Sequence, residues 1–286
     1  MMSWYFFSIA ALFLMGTQRF LYKVSAERGC NTAWTTFSFM ATVTVLSLAG
    51  YLIIRPPIPD ISALLLIAFL NSASFAMGTI SHMEALKHLP AGIVYPIIRL
   101  NAVIVVVFSV LYFQDSVSPF QVMGIIVAMT VIYILTRSVQ GEKGTYGNRR
   151  WGFGLVAMAL VSGALASVTS KFATIYTDKI AFMAVSYFLA TLFSFGLRKR
   201  LETEESRHSL RDALLIGLMM GLINFVGFYS FLTALSTGPM SVIISIMGMH
   251  FVIGIILSAI VYKERLTALR MLGIGLTIIS VLLLRM

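Results

Sequence analysis

Apolar residues run along this chain in long stretches, broken only by short charged or Pro/Gly-rich segments. Ten stretches stand out, at 3–23, 33–54, 61–86, 91–112, 119–136, 152–172, 180–197, 211–235, 240–262 and 267–285. Each approaches the ~20 residues that a helix rising 1.5 Å per residue needs to cross a hydrocarbon core. A membrane barrel would instead need strands of about ten residues with alternating polarity, and the run from Ala102 to Tyr112 shows none. The pattern predicts an all-α integral membrane protein of ten transmembrane helices. Local chemistry at the ends agrees. Trp4, Trp34 and Trp151 each fall in the first turn of a stretch, where an indole favours the interface. Ser118 before Pro119 has the form of an N-cap, and Thr267 is its counterpart before the last helix.

Composition narrows the class. Hydrophobic residues make up 59% of the 286 positions and charged residues 11%, well under the ~25% charged of soluble domains. The connections at 137–151 and 198–210 are too short to hold a soluble domain. Cys30 is the single cysteine, so neither an intramolecular disulfide nor a multi-cysteine metal cluster can form. Met1 to Ser3 carry no basic region ahead of the first stretch, so no cleavable leader is expected there.

The net charge of +10 would suit a nucleic-acid partner, but its placement argues for topology instead. Sixteen of the 21 Lys and Arg, Arg19 among them, fall at the odd-numbered connections and the adjoining helix ends. Arg55, Lys171, Lys179 and Arg285 fall on the opposite side, and Arg99 alone reads as deep inside a stretch. Lys and Arg resist translocation, so the odd-numbered connections are expected in the cytoplasm and both termini outside a cell membrane. The expected partners are thus the lipid bilayer and a small solute, with no nucleic acid. Either a monomer or a homodimer fits.

A shift of 149 residues aligns positions 78–135 with 227–284 without a gap. Gly78/Gly227, Ser81/Ser230, Ala85/Ala234, Leu86/Leu235, Pro90/Pro239 and Gly124/Gly273 are identical, and Asp115/Glu264 and Ser118/Thr267 match in type. At a shift of 147, Trp4 meets Trp151 and Gly16 meets Gly163. The expected organisation is a first five-helix repeat at 1–136, a connecting loop at 137–151 and a second repeat at 152–286. Five crossings per copy turn the second copy upside down. Inverted repeats of this kind are a mark of secondary transporters, whose substrate site lies near the midplane where the halves meet.

The segments from Glu84-Ala-Leu through Asp115 to Gly124, and from Thr233-Ala-Leu through Lys263-Glu-Arg-Leu-Thr to Gly273, resemble the EamA-type drug/metabolite transporter superfamily. The resemblance implies a ten-helix fold of two inverted five-helix repeats around a central cavity, with alternating-access export or exchange of small metabolites. Family substrates include amino acids, nucleotide sugars, sugar phosphates and drugs. Members often carry a proline in the middle of helices 4 and 9. Asn101 and His250 stand at or near those positions here, although Pro96 lies one turn earlier, which weakens the carry-over of the family's kink geometry.

Several polar residues within the stretches are candidates for the substrate site. Arg99 lies about 12 Å below the end of its helix, at 1.5 Å per residue. Such a charge must face a cavity or a partner. It suits a substrate carboxylate or phosphate, or an ion pair with Glu84. Tyr95, one turn earlier, shares its face. Asn101 and His250 occupy the same repeat position, which the pseudo-axis would bring toward the cavity, and His250 titrating near neutral pH would couple a proton. Gln18, Asn224 and Tyr229 complete the substrate set, with interhelical bonding as the competing role that also covers Asn71. Ala213, Gly217 and Gly221 recur at four-residue spacing, the pattern of close helix packing.

His82, Glu84 and His88 make a poor metal set without a fourth ligand, so no metal or cofactor is expected. No Gly-rich phosphate loop is present, which excludes ATP-driven transport by this chain. The spans lack the converging acid, base and nucleophile of an intramembrane enzyme. The reading is a secondary transporter of small polar metabolites, carboxylate-bearing ones such as amino acids, with a proton-coupled multidrug exporter of lipophilic compounds as the alternative.

Overall fold

The computed structural model describes residues 3–28, 30–89, 97–98, 100–137, 149–201, 210–263 and 267–286. Eleven helices are described: α1 Ser3–Glu27, α2 Thr32–Ile54, α3 Ile61–His88, α4 Asn101–Tyr112, α5 Pro119–Arg137, α6 Arg149–Tyr176, α7 Lys179–Leu201, α8 Leu210–Thr237, α9 Met240–Gly248, α10 His250–Val261 and α11 Ala268–Arg285. No strand occurs among the described residues. Among the described residues, six segments are long and apolar enough to cross a membrane by themselves, one of them formed by α9 and α10 together. Outward-facing side chains such as Phe6, Ile53 and Leu111 are exposed and apolar, as a lipid-facing surface requires.

The helices begin where local chemistry starts them. Asn31 caps α2 by accepting from the amides of Ala33 and Trp34. Asp60 caps α3 through Ser62 and Ala63, and the Ser62 hydroxyl and those amides hold its carboxyl below the usual carboxylate range. Ser118 and Gln121 exchange backbone and side-chain bonds at the start of α5, a reciprocal capping box.

The chain is an all-α membrane protein of two inverted five-helix repeats around a central cavity, and the pairing of its helices obeys one approximate two-fold. The main contacts join the halves: α3 with α6, α1 with α8, and α2 with both α7 and α8. Further out, α5 lies on α11 and α4 on α9. With α1 matched to α6 and α3 to α8, the first two contacts are one contact seen twice. Single residues repeat it as well. The amide of Leu89 donates to Ala85 O and that of Gly238 to Ala234 O, both at 2.9 Å and 149 positions apart. The amides of Phe113 and Tyr262 likewise end α4 and α10 on Ser109 and Ser258. The next residues, Gln114 and Lys263, both take left-handed backbone, with φ of 53° and 51°.

Glycines sit where these helices cross. A Cβ on Gly16 would stand 2.6 Å from His250 O, and one on Gly163 would stand 2.6 Å from Asn101 Nδ2. The repeat-matched glycines of α1 and α6 therefore receive the repeat-matched residues of α10 and α4. The small-residue stripe on α8 packs against α2. A Cβ on Gly217 would come 2.6 Å from both Ser38 Cβ and Thr35 O, and one on Gly221 would come 2.5 Å from Thr42 Cβ. Because Thr35 O is backbone and cannot swing away, Gly217→Ala is expected to destabilise the fold by about 1–3 kcal/mol. Earlier loss of monodisperse elution on heating, relative to the parent protein, measures that cost.

The ninth span departs from expectation. It breaks at Met249 without a proline, dividing α9 from α10. The Met249 amide tightens onto Ile246 O, Val252 N bonds Met249 O three residues back, and His250 Nδ1 donates to the Met247 carbonyl. An imidazole thus adds a side-chain bond to a carbonyl at the break, and side chains inserted into the ladder are a recognised cause of kinks. In the fourth span α4 begins at Asn101, the position matching His250.

Candidate functional site

Six helices enclose a cavity of about 170 Å³: α1, α2 and α3 from the first half and α6, α7 and α8 from the second. Its polar wall lies near the middle of each helix. Asn224 is at the midpoint of α8, and Gln18, Asn71 and Tyr187 lie three or four residues from the midpoints of α1, α3 and α7. At 1.5 Å per residue this is within about 6 Å of the centre of each rod.

Two polar assemblies flank the space. In the first, the Tyr187 hydroxyl donates to Asn224 Oδ1 at 2.6 Å and Asn224 Nδ2 donates to Gln18 Oε1 at 2.8 Å. Tyr22 lies one turn after Gln18 on α1 and lines the same cavity. This chain links α7, α8 and α1, and so crosses between the halves. In the second, Asn71 Nδ2 reaches Ala166 O, Thr169 Oγ1 and Ser170 Oγ on α6 at 2.8–3.1 Å. Ser186 Oγ donates to Asn71 Oδ1, and Ser72 Oγ to Ser186 O. Asn71 therefore has both ends of its amide occupied and knots α3 to α6 and α7. Phe39, Phe75, Phe228 and Phe231 supply the apolar part of the wall, and Arg19 on α1 supplies a guanidinium. No acidic residue belongs to the described wall.

The structure brings together two of the residues singled out from the sequence, Gln18 and Asn224, which bond each other. Tyr229 packs under the Lys179 ammonium, 5.6 Å from its ring centre, away from this wall. Asn101 and His250 stand at the Gly163 and Gly16 crossings. Arg99 and Tyr95 lie outside the described residues, as does the side chain of Glu84. Among the described residues no group of three metal-ligating side chains converges.

Sequence reasoning missed Tyr187, Tyr22 and Arg19. Tyr187 sits among Ser186 and Phe188 in an otherwise apolar span and has no polar equivalent in the other half, where position 40 is Met. Arg19 was counted with the basic end of the first span. Yet α1 continues to Glu27, which leaves Arg19 four residues past the helix midpoint and about 6 Å from it at 1.5 Å per residue.

A second cluster closes the end of the bundle where the 4–5 and 8–9 connections meet. Asp115, delivered by the left-handed Gln114, accepts at Oδ2 from Ser109 Oγ (2.5 Å), Ser241 N (2.9 Å) and Ser241 Oγ (3.0 Å). A first-half carboxylate thus caps second-half α9. Lys171 donates to Leu235 O and Gly238 O at the end of α8 and lies 5.8 Å from the Phe113 ring centre. Cation at a helix C-terminus and anion at an N-terminus both complement the helix dipoles.

A model of the EamA-like transporter family matches residues 2–137 and 150–286. An uncharacterized transporter of Archaeoglobus fulgidus is 27% identical over 229 residues, 79% of this chain and 77% of that protein. One solved crystal structure superposes with a TM-score of 0.80 at 14% identity, covering 98% of this chain and 96% of its own; it shows the fold alone.

Proposed function

The chain belongs to the EamA-like transporter family, and from that premise we propose that it carries small, carboxylate-bearing polar metabolites such as amino acids across a cell membrane by alternating access. The observation that carries the reading is the cavity between the halves. It lies at mid-depth, is lined by Gln18, Asn224 and Tyr187 and by aromatic rings, and holds about 170 Å³. Drug-sized ligands occupy sites of about 300–1,000 Å³, so the volume favours a small solute over a lipophilic drug. The described wall offers a guanidinium and no carboxylate, which suits an anion or zwitterion better than a cation. The charge distribution supports cytoplasmic odd-numbered connections and external termini.

A thermal-shift screen of the purified protein against amino acids, organic acids, sugar phosphates and lipophilic cations tests the substrate class, followed by counterflow of the stabilising solute in proteoliposomes. A solute at 100 times its Kd stabilises by about 2.7 kcal/mol. Stabilisation by amino or organic acids together with counterflow supports the reading. Stabilisation by lipophilic cations alone favours the multidrug alternative, and a binder that shows no counterflow removes the carrier role.

A further inference from the structure

We propose that Arg19, held against the Tyr22 ring, forms the carboxylate-binding end of the cavity, so that its solute is a small molecule bearing one carboxylate on an apolar body. The proposal rests on the carrier reading above and assigns its anion site. Arg19 is an exposed residue at the cavity wall, about 6 Å along α1 from its middle. An ionisable group at that depth is costly unless it meets a partner or a water-filled space. Among the described residues no carboxylate lies within ion-pair distance of Arg19; the ion pair found there joins Arg28 to Asp212. Its neighbour is an aromatic face, with the guanidinium carbon 5.5 Å from the centre of the Tyr22 ring. That contact orients a guanidinium without consuming its five N–H donors.

The direction of the amide chain adds to this. Tyr187 begins it as a donor, Asn224 passes it on, and Gln18 receives at Oε1. The Gln18 amide NH₂ is then the donor end of the chain, in the same wall as Arg19. Arg19 and the Gln18 NH₂ thus both present donors at this end of the cavity. An ionised carboxylate is an acceptor only, and a planar guanidinium matches its two oxygens. Phe75, Phe228 and Phe231 provide the apolar contact for the rest of the solute.

The test uses full-length protein and matched probes: L-leucine with L-leucinamide, L-phenylalanine with L-phenylalaninamide, and phenylacetate with phenylacetamide. Affinities are taken from thermal stabilisation of the parent protein, Arg19→Gln and Arg19→Lys. At least one acid is expected to bind the parent protein about tenfold or more tightly than its amide, the size of a lost charge-assisted pair. Arg19→Gln should level acid and amide to within about twofold, and Arg19→Lys should weaken the acid several-fold while leaving the amide unchanged. Should Arg19→Gln not survive purification, Arg19→Lys and the preference of the parent protein decide. Equal binding of acid and amide by the parent protein, or an unchanged preference in both Arg19 variants, overturns the assignment and leaves Arg19 as a side chain that reaches to the membrane surface. Counterflow separates the two readings. Amides carried as well as acids would sink the anion site and keep the carrier, whereas acids bound but never carried would sink the carrier.

Discussion

Asn224→Leu is expected to reduce transport by about a hundredfold or more while the protein still inserts and purifies as a folded species. The two halves of this expectation follow from different magnitudes. Hydrogen bonds between helices within a membrane average only about 0.6 kcal/mol, with a maximum near 1.7. Losing the bonds to Tyr187 and Gln18 should therefore leave a fold held by packing, notably Gly217 and Gly221 against α2. Function has less tolerance. Asn224 is buried at the midpoint of α8 and links α7 to α1, so it fixes where the Gln18 amide points in the cavity wall. Misplacing groups that hold a bound solute by about 1 Å can cost about 100-fold. Leucine also adds an apolar branch in a cavity of about 170 Å³. Counterflow in proteoliposomes gives the rate, and the melting temperature without solute gives the fold. The double variant with Gln18→Leu should be no worse than Asn224→Leu alone, because one chain has already been cut. Additive losses would mean that the two residues serve separate ends.

The fold was legible to the degree that hydrophobic length determines it. The expected stretches at 61–86 and 119–136 became α3 at Ile61–His88 and α5 at Pro119–Arg137, since a helix is the one structure that satisfies every backbone group across a bilayer without a partner. The repeat was legible because it resides in small residues at crossings. Gly16 and Gly163 recur since α10 and α4 press on them, and Gln114 and Lys263 share a left-handed turn ahead of Asp115 and Glu264. The break at Met249 was not legible from a proline rule, because a histidine side chain bonding Met247 O does proline's work there.

The site was legible only in part, for a physical reason. Polarity inside an apolar span marks a residue as bonded but does not say to what. Gln18, Asn71 and Asn224 looked alike in sequence. In space Asn71 is a saturated knot, whereas Asn224 passes a chain from Tyr187 to Gln18, whose amide ends it in the cavity wall. Equivalence under the repeat proved a poor guide to the wall. Asn101 and His250 are equivalent and sit at crossings, while Tyr187 and Asn224 have Met40 and Phe75 as equivalents. A carrier for an asymmetric solute needs the halves to agree where they pack and to differ where they bind.

Asp115→Ala is expected to open the end of the cavity beneath the 4–5 and 8–9 connections. Asp115 is the described carboxylate that joins the halves there, through two bonds from Ser241 to an oxygen that Ser109 of its own half also bonds. Hydrogen bonds to a charged group contribute about 1.5–3 kcal/mol each. If about 2–3 kcal/mol of that total is absent from the state open at this end, removing it shifts the equilibrium about 30- to 150-fold. Ser167 lines the cavity from α6 and serves as a reporter. In a Cys30→Ala background, Ser167→Cys should react with a membrane-impermeant maleimide faster by about that factor when Asp115→Ala is added. The increase should appear only for reagent applied on the side of those connections. Asp115→Glu is expected to behave nearly as the parent, because the second half places Glu264 at the matching position. Lys171 ties α6 to the same turn through Leu235 O and Gly238 O, so Lys171→Met should open the same side and add little to Asp115→Ala. Labelling that rises equally from both sides, or not at all, would reduce Asp115 to a cap on α9 and place the closing contact elsewhere.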